Sequence, residues 1–337
     1  CNKFNLKKYI KFNSTVNNIF KKGDIWIINF KNKNKNLTIK AEYICICSGF
    51  YTDNYIPDIP GLNNYIGEYK HVQEFNKEIN YDFKDKNILI IGNGPSGIDI
   101  ADQSIISNAK NVNLIYRTPR WIGSRNIIFQ KLLLNKYIFY FTKLLNKNLV
   151  YFGVKSLYII SIYIICLLYD YKIKLPVPDN LPNKNNLVIS DSFFDLVINK
   201  KLNYIKGEII NFDKNVINVN VNNNIHSLSP DLIIFATGYK TNIPFMNFDS
   251  IPKLYKHIIH PNYQKCGFIG FVATHNWLQT IELQAEWYIN YLVGSIKISS
   301  KNSMVTSIKN NENNFNLNYH DYSYNYFQYH NLLKKDL

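Results

Sequence analysis

One stretch constrains the fold of this chain more than any other. Asn87-Ile88-Leu89-Ile90-Ile91 is an apolar run that ends in Gly92-Asn93-Gly94-Pro95-Ser96-Gly97. A helical stretch from Ile98 to Ser107 follows, and then a second apolar run, Val112-Asn113-Leu114-Ile115-Tyr116. Strand, glycine turn, helix and strand make a βαβ unit, which predicts a parallel sheet covered on both faces. The turn has the spacing G-x-G-x-x-G. Gly92 permits the tight bend, Gly94 lets backbone approach a pyrophosphate, and Gly97 lets helix and strand pack closely. A helix starting near Ser96 would turn its N-terminus toward the diphosphate. Asn93, Pro95 and Ser96 complete the candidate cofactor-binding turn. An ordinary strand-to-helix connection is the competing reading, but glycine is scarce here, 14 in 337 residues.

The end of the second strand bears on which dinucleotide is bound. An NAD site places a carboxylate there for the ribose hydroxyls. This chain has Tyr116-Arg117-Thr118-Pro119-Arg120 and no acid nearby. Its only arginines are Arg117, Arg120 and Arg125. A guanidinium offers a planar fork to phosphate, which lysine does not. Arg117 first, Arg120 second and Thr118 beside them therefore read as a 2′-phosphate site, and the cofactor as NADP.

The net charge of +15 invites a nucleic-acid reading. Its lysines are scattered among asparagines along the whole chain, as a coding sequence rich in A and T would leave them. No nucleic-acid partner is expected. No CxxC or histidine spacing suggests a metal site or dithiol chemistry. Cys45 and Cys47 alternate in an apolar run, so both should point to one buried side. The cysteine usage fits a reducing compartment and a cytoplasmic location. Residues 157–169 are strongly apolar but shorter than the roughly 20 residues of a spanning helix, so membrane association is the less favoured reading.

Around this core, residues 24–30 and 37–40 predict a hairpin across the polar turn 31–34. Tyr43–Cys47 and Leu232–Ala236 read as buried strands ending in Ser48-Gly49 and Thr237-Gly238. Residues 126–169 look helical, 203–221 return to short strands, and a helix runs from about Glu282 to Leu292 into a polar tail.

Several motifs then match one family in order. Residues 65–75 resemble the fingerprint FxGxxxHxxx(Y/F), carried here by Gly67, His71 and Phe75, with Tyr65 for the first Phe. Phe235-Ala236-Thr237-Gly238-Tyr239 resembles FATGY, Cys47-Ser48-Gly49 an earlier (A/C)TG, and Glu282–Trp287 the motif ELQARW with Glu286 for Arg. In these the chain resembles the flavin-containing monooxygenases (class B flavoprotein monooxygenases). The resemblance implies an α/β protein with two Rossmann-like dinucleotide-binding domains of the three-layer FAD/NADP type. It implies FAD and NADP as cofactors, O2 and an amine or sulfide as substrates, and N- or S-oxygenation. Ser48, Gly49, Thr237, Gly238 and Thr280 join the cofactor-binding candidates; no catalytic side chain is assigned, because the cofactors carry the hard chemistry. His71 reads equally as a buried link or as a cofactor contact, and Thr237-Gly238 as a domain crossover.

The match departs from the family in one respect. The family opens with an FAD-binding βαβ that has its own glycine turn, and this chain has a single turn of that kind. The expected organisation is a partial FAD domain over 1–80, lacking its first βαβ, an NADP domain over 81–229 with a helical insertion at 126–185, and a return to the FAD domain over 230–337. The chain by itself is then expected to bind FAD poorly. The alternatives are a Baeyer–Villiger monooxygenase, whose fingerprint ends in Trp where Phe75 stands, and a non-catalytic NADP-binding homologue.

Overall fold

The computed structural model describes residues 2–49, 51–76, 81–123, 187–272, 277–315 and 326–337. Its strands include β1 (Ser14–Lys22), β2 (Ile25–Asn32), β3 (Lys35–Ala41), β4 (Ile44–Ile46), β5 (Glu68–His71), β6 (Asn87–Ile91), β7 (Asn111–Tyr116) and β8 (Trp121–Gly123). They continue with β9 (Leu187–Ile189), β10 (Asn203–Lys206), β11 (Glu208–Asp213), β12 (Val216–Val221), β13 (Asn224–Leu228), β14 (Leu232–Phe235), β15 (Ile259–His260) and β16 (Tyr263–Phe268). The helices are α1 (Pro95–Ile106), α2 (Phe193–Ile198), α3 (Trp277–Leu292), α4 (Lys301–Phe315) and α5 (Tyr326–Lys334). The chain folds into two compact units, one of residues 54–238 and one of residues 1–53 with 239–337.

The 54–238 unit is built on a five-stranded parallel sheet of order β10-β7-β6-β14-β5. Side chains alternate across each strand, so one apolar run feeds two cores. Ile88 and Ile90 join Val112, Leu114, Leu232 and Ile234 on the face that α1 covers with Ile98, Ile100 and Ala101. Leu89, Ile115, Ile233 and Phe235 share the second core with Phe212, Ile217 and Val219 of the antiparallel sheet β11-β12-β13. Helices, parallel sheet and antiparallel sheet make three layers. Helix α1 opens with Pro95 in its first turn, where a missing N–H leaves no bond unmade.

These contacts move the expected boundaries. Strand β14 pairs with β6 on one side and β5 on the other, residue by residue from Leu232↔Ile88 and Leu232↔Glu68. Glu68–His71 and Leu232–Phe235, expected in the flanking domain, are therefore hydrogen-bonded into the dinucleotide sheet. The compact units change at 53/54 and 238/239 instead of 80/81 and 229/230.

In the other unit β1, β2 and β3 form an antiparallel meander. The expected turn at 31–34 tightens to Lys33-Asn34, both at positive φ (44° and 70°), with Asn32 paired to Lys35. Such a primed turn matches the twist of the strands it joins. Strand β4 pairs in parallel with β16, which pairs antiparallel with β15. Ile46 is buried, but Cys45 and Cys47 are exposed, which corrects the expected burial. They do share a side, the solvent side of a strand whose one partner among the described residues is β16. The expected helix at 282–292 begins earlier, at Trp277, and the tail read as polar contains α4 and α5. The insertion at 126–185, Arg125 and the apolar segment 157–169 lie outside the described residues. Among the described residues no helix is long and apolar enough to cross a membrane.

Ile90 is wholly buried between α1 and its sheet neighbours, so Ile90→Ala should lower the stability of the 54–238 unit by about 2–5 kcal/mol. Ile225→Ala, at a site 69% exposed, should change it by less than about 0.5 kcal/mol. Urea unfolding of both variants measures the difference.

Candidate dinucleotide site

The glycine turn after β6 leaves its three glycines in three different surroundings. Gly92 sits at φ +109°, where a side chain would strain the backbone, and a Cβ there would lie 2.5 Å from the Ala236 carbonyl oxygen. A Cβ on Gly97 would lie 2.0 Å from the Gly92 carbonyl oxygen and 3.3 Å from the Ala236 Cβ. A Cβ on Gly94 would meet nothing within 4 Å. The outer glycines are thus held by packing, and the middle one borders open space. A pyrophosphate approaching that turn needs this arrangement. The start of α1 faces the same way by construction, because Gly94 is its N-cap and accepts from the Gly97 and Ile98 amides at 3.0 and 3.1 Å. A helix N-terminus there favours an anion.

Asn93 is fixed from behind. Its Nδ2 donates to the Thr118 carbonyl at 3.0 Å and to the Tyr204 hydroxyl at 2.8 Å. It therefore ties the turn to the segment after β7. Tyr204 lies on β10 and stacks on Tyr116, with ring centroids 4.1 Å apart. Burial pushes the Tyr204 hydroxyl up to about 12, against the opposing pull of its bond from Asn93 and of the nearby Arg120 charge. It stays a neutral phenol and can accept from Asn93. Sequence reasoning missed Tyr204, because nothing local signals that β10 will pair with β7, Tyr204 opposite Leu114.

The two arginines separate. Arg117 and Thr118 are exposed at the end of β7, whereas Arg120 is half-buried close to Tyr204. Burial lowers the Arg120 pKa and the tyrosine opposes it, but a guanidinium keeps its charge at any physiological pH. The segment from Tyr116 to Gly123 contains no carboxylate. The exposed Arg117 is the freer of the two to meet a phosphate, and Arg120 adds positive charge beside the tyrosine pair.

The fingerprint residues hold the unit together. Gly67 lies under the Tyr65 ring, whose hydroxyl would be 2.4 Å from an added Cβ. Tyr65 is buried edge-on against Phe212. His71 is wholly buried. Its Nδ1 accepts from the Gln73 amide at 3.3 Å, so the proton belongs on Nε2, which donates to the Gly238 carbonyl at 3.0 Å. Burial keeps its pKa below the usual histidine value, although the bond to Gly238 and the Glu74 carboxylate oppose this. His71 is therefore a neutral clamp between β5 and the Thr237-Gly238 segment. Phe75 is buried and stacks on Phe83 at 5.5 Å. Gly238 sits at φ +87°, and its carbonyl also accepts from the Tyr55 amide; the Thr237 hydroxyl donates to the Tyr55 carbonyl.

Ser48, Gly49 and Thr280 belong to the other unit. Gly49 follows β4 at φ +68° with open space where a side chain would project. Ser48 is exposed beside it. Thr280 is buried in the first turn of α3, its hydroxyl 3.0 Å from His330 Nε2 on α5. One turn on, Gln284 accepts from the Gly270 amide and donates to the Tyr329 hydroxyl. Trp287 and Lys256 both bond Asp336. Thr280 and Gln284 thus anchor α5, and Glu282 and Glu286 are exposed on the opposite side of the helix.

A family model described as flavin-binding monooxygenase-like matches residues 1–335. Flavin-containing monooxygenase 1 of Homo sapiens is 28% identical over 343 residues, covering 93% of this chain and 60% of that protein. Flavin-containing monooxygenase 5 of Rattus norvegicus is 26% identical over 325 residues, covering 90% and 58%. The chain spans about three fifths of the length of these relatives. Among solved structures, open cyclohexanone monooxygenase superposes with a TM-score of 0.72 at 13% identity, covering 99% of this chain and 80% of that one. S-allyl-L-cysteine S-oxygenase from Allium sativum gives 0.60 at 18% identity, covering 99% and 63%. At such identities the likeness concerns the fold, an α/β protein of Rossmann-like dinucleotide-binding units.

The turn makes a paired prediction. Gly97→Ala should cost about 1–3 kcal/mol of stability, because backbone must move to admit the methyl group. Gly94→Ala should stay within about 1 kcal/mol of the parent, since its φ of −70° suits alanine and the space is open. Thermal and urea unfolding of the two variants check it.

Proposed function

The chain belongs to the flavin-binding monooxygenase-like family, and from that premise we propose that it forms the NADPH-binding part of a flavin-dependent monooxygenase. The reaction is transfer of one oxygen atom of O2 to a soft nucleophile, an amine or a sulfide. The observation that carries this reading is the pairing of an open-sided glycine turn with Arg117 where an NAD site would hold a carboxylate.

Each residue then has a stated task. Gly94 and the N-terminus of α1 receive the pyrophosphate, with Asn93 holding the turn in place from behind. Arg117 takes the 2′-phosphate, Thr118 lies beside it, and Arg120 adds charge. In the other unit Ser48 and Gly49 contact FAD through a backbone open to close approach. Thr280 keeps its hydroxyl on His330, so the first turn of α3, not that side chain, would face the flavin. When bound, the two cofactors supply hydride transfer and oxygen activation. His71 holds the Thr237-Gly238 segment and moves no proton in this scheme, because it is buried and neutral. A cytoplasmic location and the absence of a nucleic-acid partner complete the proposal.

Calorimetric titration tests the phosphate assignment. Arg117→Ala should weaken NADP+ binding about 10–100-fold, the loss expected for a charged hydrogen bond, and change NAD+ binding by less than about twofold. Equal losses for both nucleotides would overturn it. Amines and sulfides should each stimulate NADPH oxidation by the full-length gene product supplied with FAD; NADP+ binding with no stimulated oxidation there leaves a binding protein and sinks the catalytic reading.

A further inference from the structure

Outside the dinucleotide site, the described residues contain one close pair of thiols. Cys45 lies within β4 and Cys47 just past its end, and both are exposed. Residues i and i+2 of a strand share a side but ordinarily stand about 6.6 Å apart along it. Here the two Sγ atoms are 3.4 Å apart, so each thiol leans toward the other. The neighbouring strand helps to explain the tilt. Gly267 of β16 sits opposite Cys45 and has no side chain. The Tyr288 ring fills that place, with its hydroxyl donating to the Ile44 carbonyl at 2.8 Å. Space beside Cys45 across the ladder is taken, and the open direction runs along the strand to Cys47.

We propose that Cys45 and Cys47 form a vicinal dithiol that a hydroperoxide converts to an intramolecular disulfide, one thiol attacking and the other resolving. The thiolate of one displaces hydroxide from the peroxide and becomes a sulfenic acid. The sulfur of the other attacks it, an S–S bond forms, and water leaves. The peroxide gains the two electrons that the two thiols lose.

Closure needs movement at Cys47, which lies past the end of β4: side chains at i and i+2 of a strand keep their Cβ atoms about 6.6 Å apart, and a disulfide brings them to about 3.5–4.5 Å. Electrostatics favour the first step: either thiol can donate to the other, and the donor stabilises its neighbour's thiolate, which lowers one pKa of the pair and raises the other. Low thiol pKa, exposure and a resolving thiol in contact are the combination found where cysteines oxidise reversibly. Cys266, one strand away, is buried, and burial raises its pKa beyond that of an ordinary thiol. It serves as the internal control. None of this depends on which nucleotide or substrate the protein binds.

The full chain carrying Cys1→Ser and Cys166→Ser isolates the pair. One equivalent of hydrogen peroxide, followed by peptide mass spectrometry, should show a 45–47 disulfide with two hydrogens lost, restored by dithiothreitol, and Cys266 unmodified. Adding either Cys45→Ser or Cys47→Ser should leave a sulfenic acid on the remaining thiol that dimedone traps, and should slow peroxide consumption, because the neighbour that stabilised its thiolate is gone. Both positions are exposed, so the variants should keep the parent circular dichroism spectrum. Undiminished consumption by Cys47→Ser, or peroxide products at 45 and 47 without an S–S link, would overturn the proposal.

Discussion

At the turn after β6 three backbone segments come so close that nothing larger than hydrogen fits between them. The carbonyl oxygens of Gly92 and Ala236 stand where Cβ atoms of Gly97 and Gly92 would be. This contact fixes the height at which α1 leaves the sheet and therefore which side chains α1 sets against Ile88 and Ile90. It also decides where a ligand can lie. With both outer glycines filled in by neighbours, the open side at Gly94 is where a pyrophosphate can reach the turn.

The layering turns one short hydrophobic run into two cores. Leu89 faces the antiparallel sheet and its neighbours Ile88 and Ile90 face α1, so a one-residue slip in β6 would exchange both environments at once. The clamp from His71 to Gly238 acts at the far edge of the same sheet. Its neutral imidazole donates one bond and accepts another, which a charged ring could not do.

Much of the dinucleotide unit was legible from local pattern. The apolar runs at 88–91 and 112–116, the glycine spacing and the arginines all lie within one stretch, and short-range physics governs them. Tyr204 was not legible, because its role depends on a register formed with a strand some ninety residues earlier. Where the compact units change was not legible for the same reason. Leu232–Phe235 reads as a strand, but its place between β6 and β5 is a long-range choice. In the other unit the tail was misjudged because α5 is held by a few buried bonds, Thr280 to His330 and Gln284 to Tyr329, and by burial of Leu333, which so short an apolar pattern does not announce. Cys45 and Cys47 were placed on a common side correctly, and on the wrong one. Alternation gives the side they share, but the tertiary neighbours decide which side is dry.

The sheet order has a consequence for synthesis. The second position from one end, β14, is the last of the five strands to be made, and it bridges β6 and β5. Until residue 235 has left the ribosome, both neighbours present unpaired edges on the sides that β14 will occupy. From Glu68 to Leu232 is 164 residues, which at about 5–20 residues per second is a wait of roughly 8–33 s. During that interval the unpaired backbone edge of β5 is a template for any extended chain nearby. Bonds of high sequence separation that join β5 to the rest of the finished sheet thus make the nascent chain dependent on what shields it.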